Sequence, residues 1–164
     1  MRDLAPDRDA GGVLELSEFI SPQLTKLELS STTKLDAIKE LIDMLDTAGY
    51  LTDADAFLKS VLEREKVGST GIGKGIAIPH SRTSTVREVV VAIGRSTAGI
   101  EFEALDNRPV HLVFLIAAPI ESGGLYLKAL ARLSRLLRYQ EFRTELMEAE
   151  SVDEIIKIIS AEEK

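Results

Sequence analysis

With 164 residues, 45% of them hydrophobic, the chain is long enough to bury one substantial core and too short for two comfortable domains. It has no cysteine, which excludes disulfides, thiolate nucleophiles and cysteine-based zinc sites. A formal net charge of -7, with no clustered Lys and Arg beyond one amphipathic helix face at 128–138, argues against a sequence-independent hold on nucleic acid.

Residues 1–12 combine two glycines, a proline and alternating charges, and read as a flexible tail ahead of a single domain over 13–164. This N-terminus has neither the apolar core of a signal peptide nor the acid-poor character of a transit peptide, so a cytoplasmic protein is expected. A short extended piece, Thr25 to Leu29, leads to a Ser/Thr cluster that can cap a helix from about Lys34 to Ala48. Leu35, Ile38, Leu41, Ile42 and Leu45 share one face of that helix, and Gly49 stops it. A second helix, capped by Thr52 or Asp53, turns Phe57, Leu58, Val61 and Leu62 inward and ends near Lys66.

The period then changes. Residues 67–79 hold four glycines followed by Ile76-Ala-Ile78, a loop feeding a short strand. Val89 to Ile93 and Val110 to Ala118 are β-branched-rich runs of strand length, separated by the turn-like Leu105-Asp-Asn-Arg-Pro109. The second run is the longest apolar stretch, about half of the roughly 20 residues a membrane span requires, so no membrane insertion is expected. Three helices close the chain: Leu125 to Arg138 with Leu130, Leu133 and Leu137 on one stripe, Glu141 to Ala149, and Val152 to Ser160 capped by Ser151. The order β-α-α-β-β-β-α-α-α lacks the regular alternation of a doubly wound fold, and points to an α/β protein with a mixed sheet sandwiched between helices.

The chemistry is concentrated between residues 64 and 81. Gly68, Gly73 and Lys74 match the spacing GxxxxGK, but Gly75 stands where a phosphate-binding loop needs Ser or Thr for magnesium. A Rossmann reading of Gly71-Ile-Gly73 fails because residue 76 is Ile. More informative is Gly75-Ile-Ala-Ile-Pro-His80-Ser81, which sets a histidine directly after a proline at the end of an apolar strand. Proline removes a backbone donor and holds Ile78 extended, so the strand is expected to end there with the ring projecting from a sheet edge. An imidazole of ordinary pKa is about three-quarters neutral at pH 7, which leaves a ring nitrogen free to attack phosphorus. Glycine-loop amides, Ser69, Thr70 and Ser81 are candidate donors to the phosphoryl oxygens. His111, on a predicted strand, reads as a sheet residue with a satisfied ring, and no metal-ligand spacing occurs. The reading calls for no cofactor and no metal.

The run from Arg64 through Glu-Lys-Val-Gly-Ser-Thr-Gly-Ile-Gly-Lys-Gly-Ile-Ala-Ile-Pro to His80 closely resembles the active-site signature of the enzyme IIA domains of the bacterial sugar phosphotransferase system, of the fructose, mannitol and nitrogen-regulatory type. Phe102 to Val110, the strand to Ala118-Pro119, and Leu127 to Leu137 extend the resemblance over about 14–160. It implies a three-layer α/β/α sandwich and a stand-alone phosphocarrier. In that role His80 accepts a phosphoryl group from the small carrier HPr, or its nitrogen-branch relative, and passes it to a IIB component or signals by its phosphorylation state. It also places Arg64 near the phosphohistidine, where a guanidinium offsets phosphoryl charge; the alternative for Arg64 is an i,i+4 partner of Ser60 or a plain surface charge.

One position departs from the pattern. Family members usually carry a second histidine just before the leucine corresponding to Leu127, and here that residue is Tyr126. A tyrosine hydroxyl at a helix N-terminus still donates a hydrogen bond, but near neutral pH it supplies neither positive charge nor a proton shuttle. This keeps open an alternative class, a IIA-like regulatory binding module that docks partners without phosphotransfer. Residues 106–110 look more like nitrogen-regulatory members and 127–137 more like fructose-type ones; the balance leans slightly to regulation.

Overall fold

The computed structural model describes residues 15–163, so the expected tail over 1–12 lies outside the described residues. One mixed sheet organises them. Its strands are β1 (Thr25–Lys26), β2 (Gly71–Gly73), β3 (Ile76–Ala77), β4 (His80–Arg82), β5 (Val90–Ile100) and β6 (Val110–Ala118). The spatial order is β1-β5-β6-β3-β2, with β4 also paired to β6. β5 and β6 run antiparallel, whereas β1 on β5 and both β3 and β4 on β6 are parallel.

Strand alternation explains why both faces of this sheet are covered. Along β6, Leu112, Phe114 and Ile116 enter one core while Val113, Leu115 and Ala117 enter another. The first core is closed by α3 (Gly123–Leu136), α4 (Gln140–Glu148) and α5 (Val152–Ala161), through Leu133, Phe142, Ile155 and Ile159. The second is closed by α1 (Lys34–Thr47) and α2 (Ala54–Val67), through Ile38, Leu41, Phe57 and Val61. The result is the expected three-layer α/β/α sandwich. Among the described residues, no helix is long and apolar enough to cross a membrane.

Local chemistry sets the helix starts. Thr33 Oγ1 accepts from Asp36 N at 3.2 Å, Asp53 Oδ1 from Ala56 N at 3.0 Å, and Ser151 Oγ from Glu154 N at 3.1 Å. Leu35, expected on the inward face of α1, is instead 42% exposed, because Ala37 takes the buried position beside Ile38.

The strands differ more from expectation than the helices. The glycine stretch is a hairpin rather than an open loop: β2 and β3 pair antiparallel around Lys74 and Gly75, whose φ angles of 60° and 78° suit a primed two-residue turn. Nor does pairing stop at Pro79. Its carbonyl accepts from Ile116 N at 2.9 Å, and β4 resumes on the same parallel partner. β5 runs seven residues beyond Ile93, to Ile100. Its buried Arg95 is accommodated because the guanidinium donates to the carbonyls of Leu146 and Ala149 at 2.9 and 2.8 Å, around the C-terminus of α4.

Candidate active site

β4 lies beside β6 with no further strand outside it, so its residues alternate between the helix α2 side and an open side. His80 and Arg82, two apart, share one face; Ser81 takes the other and is buried. The His80 ring is half-buried, and its Nδ1 lies 2.7 Å from the Ile78 carbonyl. A carbonyl only accepts, so Nδ1 carries the proton and Nε2 holds the free lone pair. Burial lowers the His80 pKa, the Arg64 cation lowers it further, and the Ile78 hydrogen bond and Glu65 oppose them in part. The net direction keeps the ring neutral to lower pH than an ordinary histidine.

Two other elements, α3 and α2, act on this ring, and Arg82 follows it on its own strand. Tyr126, in the first turn of α3, stands with its ring centroid 6.1 Å from that of His80, tilted by 56°. The Arg82 guanidinium sits over the Tyr126 ring, 5.5 Å from its centroid, in a cation–π arrangement. It also flanks Gly123, the first residue of α3, where an added Cβ would lie 3.6 Å from Nη1. Ser122 supplies no side-chain cap, so the amides that open α3 keep their donor capacity and their share of positive dipole. From α2, Arg64 donates to the Gly68 carbonyl at 2.8 Å, and its charge is felt at both His80 and Tyr126. Burial raises the Tyr126 pKa, against the pull of Arg82 and Arg64, so the phenol stays a neutral donor at physiological pH.

The hydroxyls named from sequence are committed elsewhere. Ser69 Oγ donates to the Phe102 carbonyl at 2.8 Å and accepts from Gly71 N at 3.0 Å. Thr70 is buried and gives its hydroxyl to the Glu65 carboxylate, with its amide 3.2 Å from the same group. Ser81 Oγ pairs with Ser60 Oγ, because alternation in β4 turns Ser81 toward α2. These hydroxyls brace the glycine hairpin and the strand instead of facing His80. Ser60 pairs with Ser81, while the hydrogen bond that Arg64 makes runs to the Gly68 carbonyl. The structure thus sets Tyr126 beside His80, brings the Arg64 charge to bear on both, and adds Arg82, seated on the Tyr126 ring, which sequence reasoning missed. A signal for it existed in the i,i+2 spacing from His80, but only for a strand that continues past the proline.

His111 lies on β6 with Nδ1 2.9 Å from the Ser96 carbonyl. Among the described residues, no cluster of three or more His, Asp or Glu side chains is placed to hold a metal ion. A neutral imidazole beside Tyr126 and within reach of the Arg64 charge, with Arg82 seated on the Tyr126 ring next to the start of α3, makes this the cationic, aromatic end of the sheet.

Comparison with known proteins gives the family. Residues 18–162 match the model of the family described as phosphoenolpyruvate-dependent sugar phosphotransferase system, EIIA 2. The fructose-specific EIIABC component of Bacillus subtilis is 44% identical over 151 residues, covering 92% of this chain and 24% of that protein, so the chain spans about a quarter of this relative's length. The fructose-specific EIIA component of Haloferax volcanii is 39% identical over 148 residues, covering 90% of this chain and 96% of the relative. Among solved structures, the nitrogen regulatory protein IIA-Ntr of Neisseria meningitidis superposes with a TM-score of 0.81 at 29% identity, covering 87% of this chain and 97% of that one. With nearly all of its described length matched, the chain belongs to the EIIA type 2 family of the phosphoenolpyruvate-dependent sugar phosphotransferase system.

Proposed function

We propose that His80 Nε2 accepts a phosphoryl group from a phosphohistidine carrier of the HPr kind, or its nitrogen-branch relative, and passes it to a IIB component or a regulatory target in the cytoplasm. The observation that carries this reading is the His80 ring itself: Nδ1 is held by the Ile78 carbonyl, and Nε2 is left as the free lone pair on a neutral ring. In the transfer, the donor's nitrogen–phosphorus bond breaks as the bond to Nε2 forms, and the electron pair of the broken bond returns to the donor nitrogen. The Ile78 carbonyl stabilises the positive charge that develops on the ring. Arg64, Arg82 and the opening amides of α3 offset phosphoryl charge, and Tyr126 donates a neutral hydrogen bond.

Exposed apolar side chains on the same segments suit a protein partner. Val67 follows Arg64 on α2 and is 84% exposed, Ile120 precedes α3, and Leu127 adjoins Tyr126. The fructose-named relatives share more identity with the chain than the nitrogen-regulatory structure does, which supports sugar uptake over the regulatory role toward which the sequence leans.

The test is to incubate the protein with phosphoenolpyruvate, enzyme I and HPr and to read intact mass under alkaline conditions, since phosphohistidine is acid-labile. One added phosphoryl group is expected. No added mass, with HPr shown to charge a known acceptor in parallel, would favour a second reading, a docking module without phosphotransfer. Tyr126 in place of the family's usual second histidine is the observation behind that alternative.

A further inference from the structure

We propose that a second pocket, at the far end of β6 from His80, binds a small phosphorylated sugar. His80 pairs with Ile116 and Gly75 with the start of β6 at His111, so five strand residues, about 17 Å, separate the two places. The pocket is an open concavity of about 540 Å³, within the range of roughly 300–1,000 Å³ usual for small-molecule sites and more than a lone phosphate fills.

Its lining is cationic in a protein whose net charge is -7. Lys74 comes from the β2–β3 turn, Arg108 from the loop before β6 and Arg143 from α4, segments that share no local sequence motif. Among the described residues, the Lys74 ammonium and the Arg108 guanidinium make no side-chain hydrogen bond or close ion pair, and the Arg108 charge acts on the neighbouring Asp106 carboxylate. Arg143 spends one nitrogen on the Leu137 carbonyl, at 2.8 Å, and has others to give. His111 joins them. Its Nδ1 is held by Ser96, which leaves Nε2 for a ligand. Gln140 opens α4 at the pocket wall, and Tyr139 before it supplies no side-chain cap. Three cations around one concavity match a dianion better than a single carboxylate.

Asp106 makes the site more than an anion trap. Its two oxygens accept from Lys74 N at 2.9 Å and Arg108 N at 3.1 Å, which fixes the carboxylate at the rim of the pocket. Each oxygen keeps a further lone pair, and those pairs, with the Gln140 amide, suit the hydroxyls of a sugar. A phosphate among the cations and hydroxyls against Asp106 and Gln140 uses both kinds of wall.

The test is an amide-resolved NMR titration of the whole chain at about 0.15 M salt, where diffuse attraction is screened. Glucose 6-phosphate, fructose 1-phosphate and ribose 5-phosphate are added in separate arms, with glucose and inorganic phosphate as component controls. At least one sugar phosphate is expected to shift the amides of Lys74, Gly75, His111 and Gln140, with inorganic phosphate at least tenfold weaker and glucose silent. The double variant Lys74→Gln/Arg108→Gln alters two exposed side chains, and is expected to lose at least tenfold in affinity with an unchanged melting temperature. His80→Ala is expected to bind as the wild type does, so failure of the phosphocarrier reading and failure of this one are separable. Shifts centred on His80, Arg82 and Gly123, inorganic phosphate binding as tightly as every sugar phosphate, an unaffected double variant, or no binding in any arm would each overturn the proposal.

Discussion

At one end of β6 the His80 ring gives Nδ1 to the Ile78 carbonyl at 2.7 Å, and at the other the His111 ring lies with Nδ1 2.9 Å from the Ser96 carbonyl. Both rings are half-buried, and in both the hydrogen bond to a carbonyl is made by Nδ1. Their surroundings set them apart. His80 lies beside the Tyr126 ring, on which Arg82 is seated, and feels the Arg64 charge, with its own charge state pushed toward neutral by burial. His111 lines an open concavity with cations drawn from distant segments. On the readings proposed above, the same backbone device would prepare a nucleophile in one place and a binding wall in the other, so the groups around each ring, not the anchoring, would define the chemistry.

The largest expected effect breaks the comparison outright. His80→Ala abolishes loading by the carrier, read as loss of the added phosphoryl mass, while His111→Ala loads to the same extent as the wild type. Loading on His111 would invert the assignment. Arg82→Gln comes next. Removing one charge-assisted contact to a phosphoryl group costs about 1.5–3 kcal/mol, or roughly 10–100-fold in the loading rate measured by rapid quench. Arg108→Gln, an equally exposed arginine at the other end of β6, leaves that rate unchanged.

That Arg82 needed the structure shows where sequence reasoning stops. The helices were legible because each carries an apolar stripe, and three of them, α1, α2 and α5, also a cap at Thr33, Asp53 or Ser151; α3 and α4 have no side-chain cap and show in the stripe alone. β2 and β4 carry none, being Gly-Ile-Gly and His-Ser-Arg, three residues each, and they are strands only because β3 and β6 supply partners. The far half of β5 holds Gly94, Arg95 and Ser96, polar enough to read as loop until α4 offers its terminal carbonyls to Arg95. In the candidate site, His80, Arg64 and Tyr126 sit in or beside a recognisable run. The partners of Ser69, Thr70 and Ser81 were not legible, because hydroxyl direction depends on which side of a strand or hairpin faces Phe102, Glu65 or Ser60. The cationic pocket was illegible, since residues 74, 108 and 143 meet only through the fold.

Acidity sharpens the contrast further. Transfer needs neutral His80, and burial followed by the Arg64 charge lowers its pKa, so the acid limb of the loading rate lies below pH 6.5. Arg64→Gln removes one of the two lowering influences, so the folded-state pKa rises and the acid limb moves to higher pH. At the plateau the same variant is expected to load several-fold more slowly, because a guanidinium near the phosphoryl group is gone. A limb that stays put, with slower loading at every pH, would make Arg64 a contact to phosphate without influence on the ring. A limb that moves to lower pH contradicts the sign.

The smallest effect belongs to Tyr126, and it decides whether the phenol contributes to transfer or only fills space. Its hydroxyl is kept protonated by burial, so it can donate but not carry charge. Tyr126→Phe removes one neutral hydrogen bond and leaves the ring that supports Arg82, and about two- to tenfold slower loading follows from roughly 0.5–1.5 kcal/mol. Tyr126→Leu removes the aromatic face as well, so Arg82 loses its cation–π seat and the rate falls toward that of Arg82→Gln. Should Phe load as fast as Tyr while Leu is slow, the hydroxyl is idle and Tyr126 acts through the position of Arg82. Tyr126→His then separates geometry from charge. A histidine there adds a group that is cationic below its pKa, and a rate gain that fades as pH rises through that pKa marks the missing charge as what limits this site.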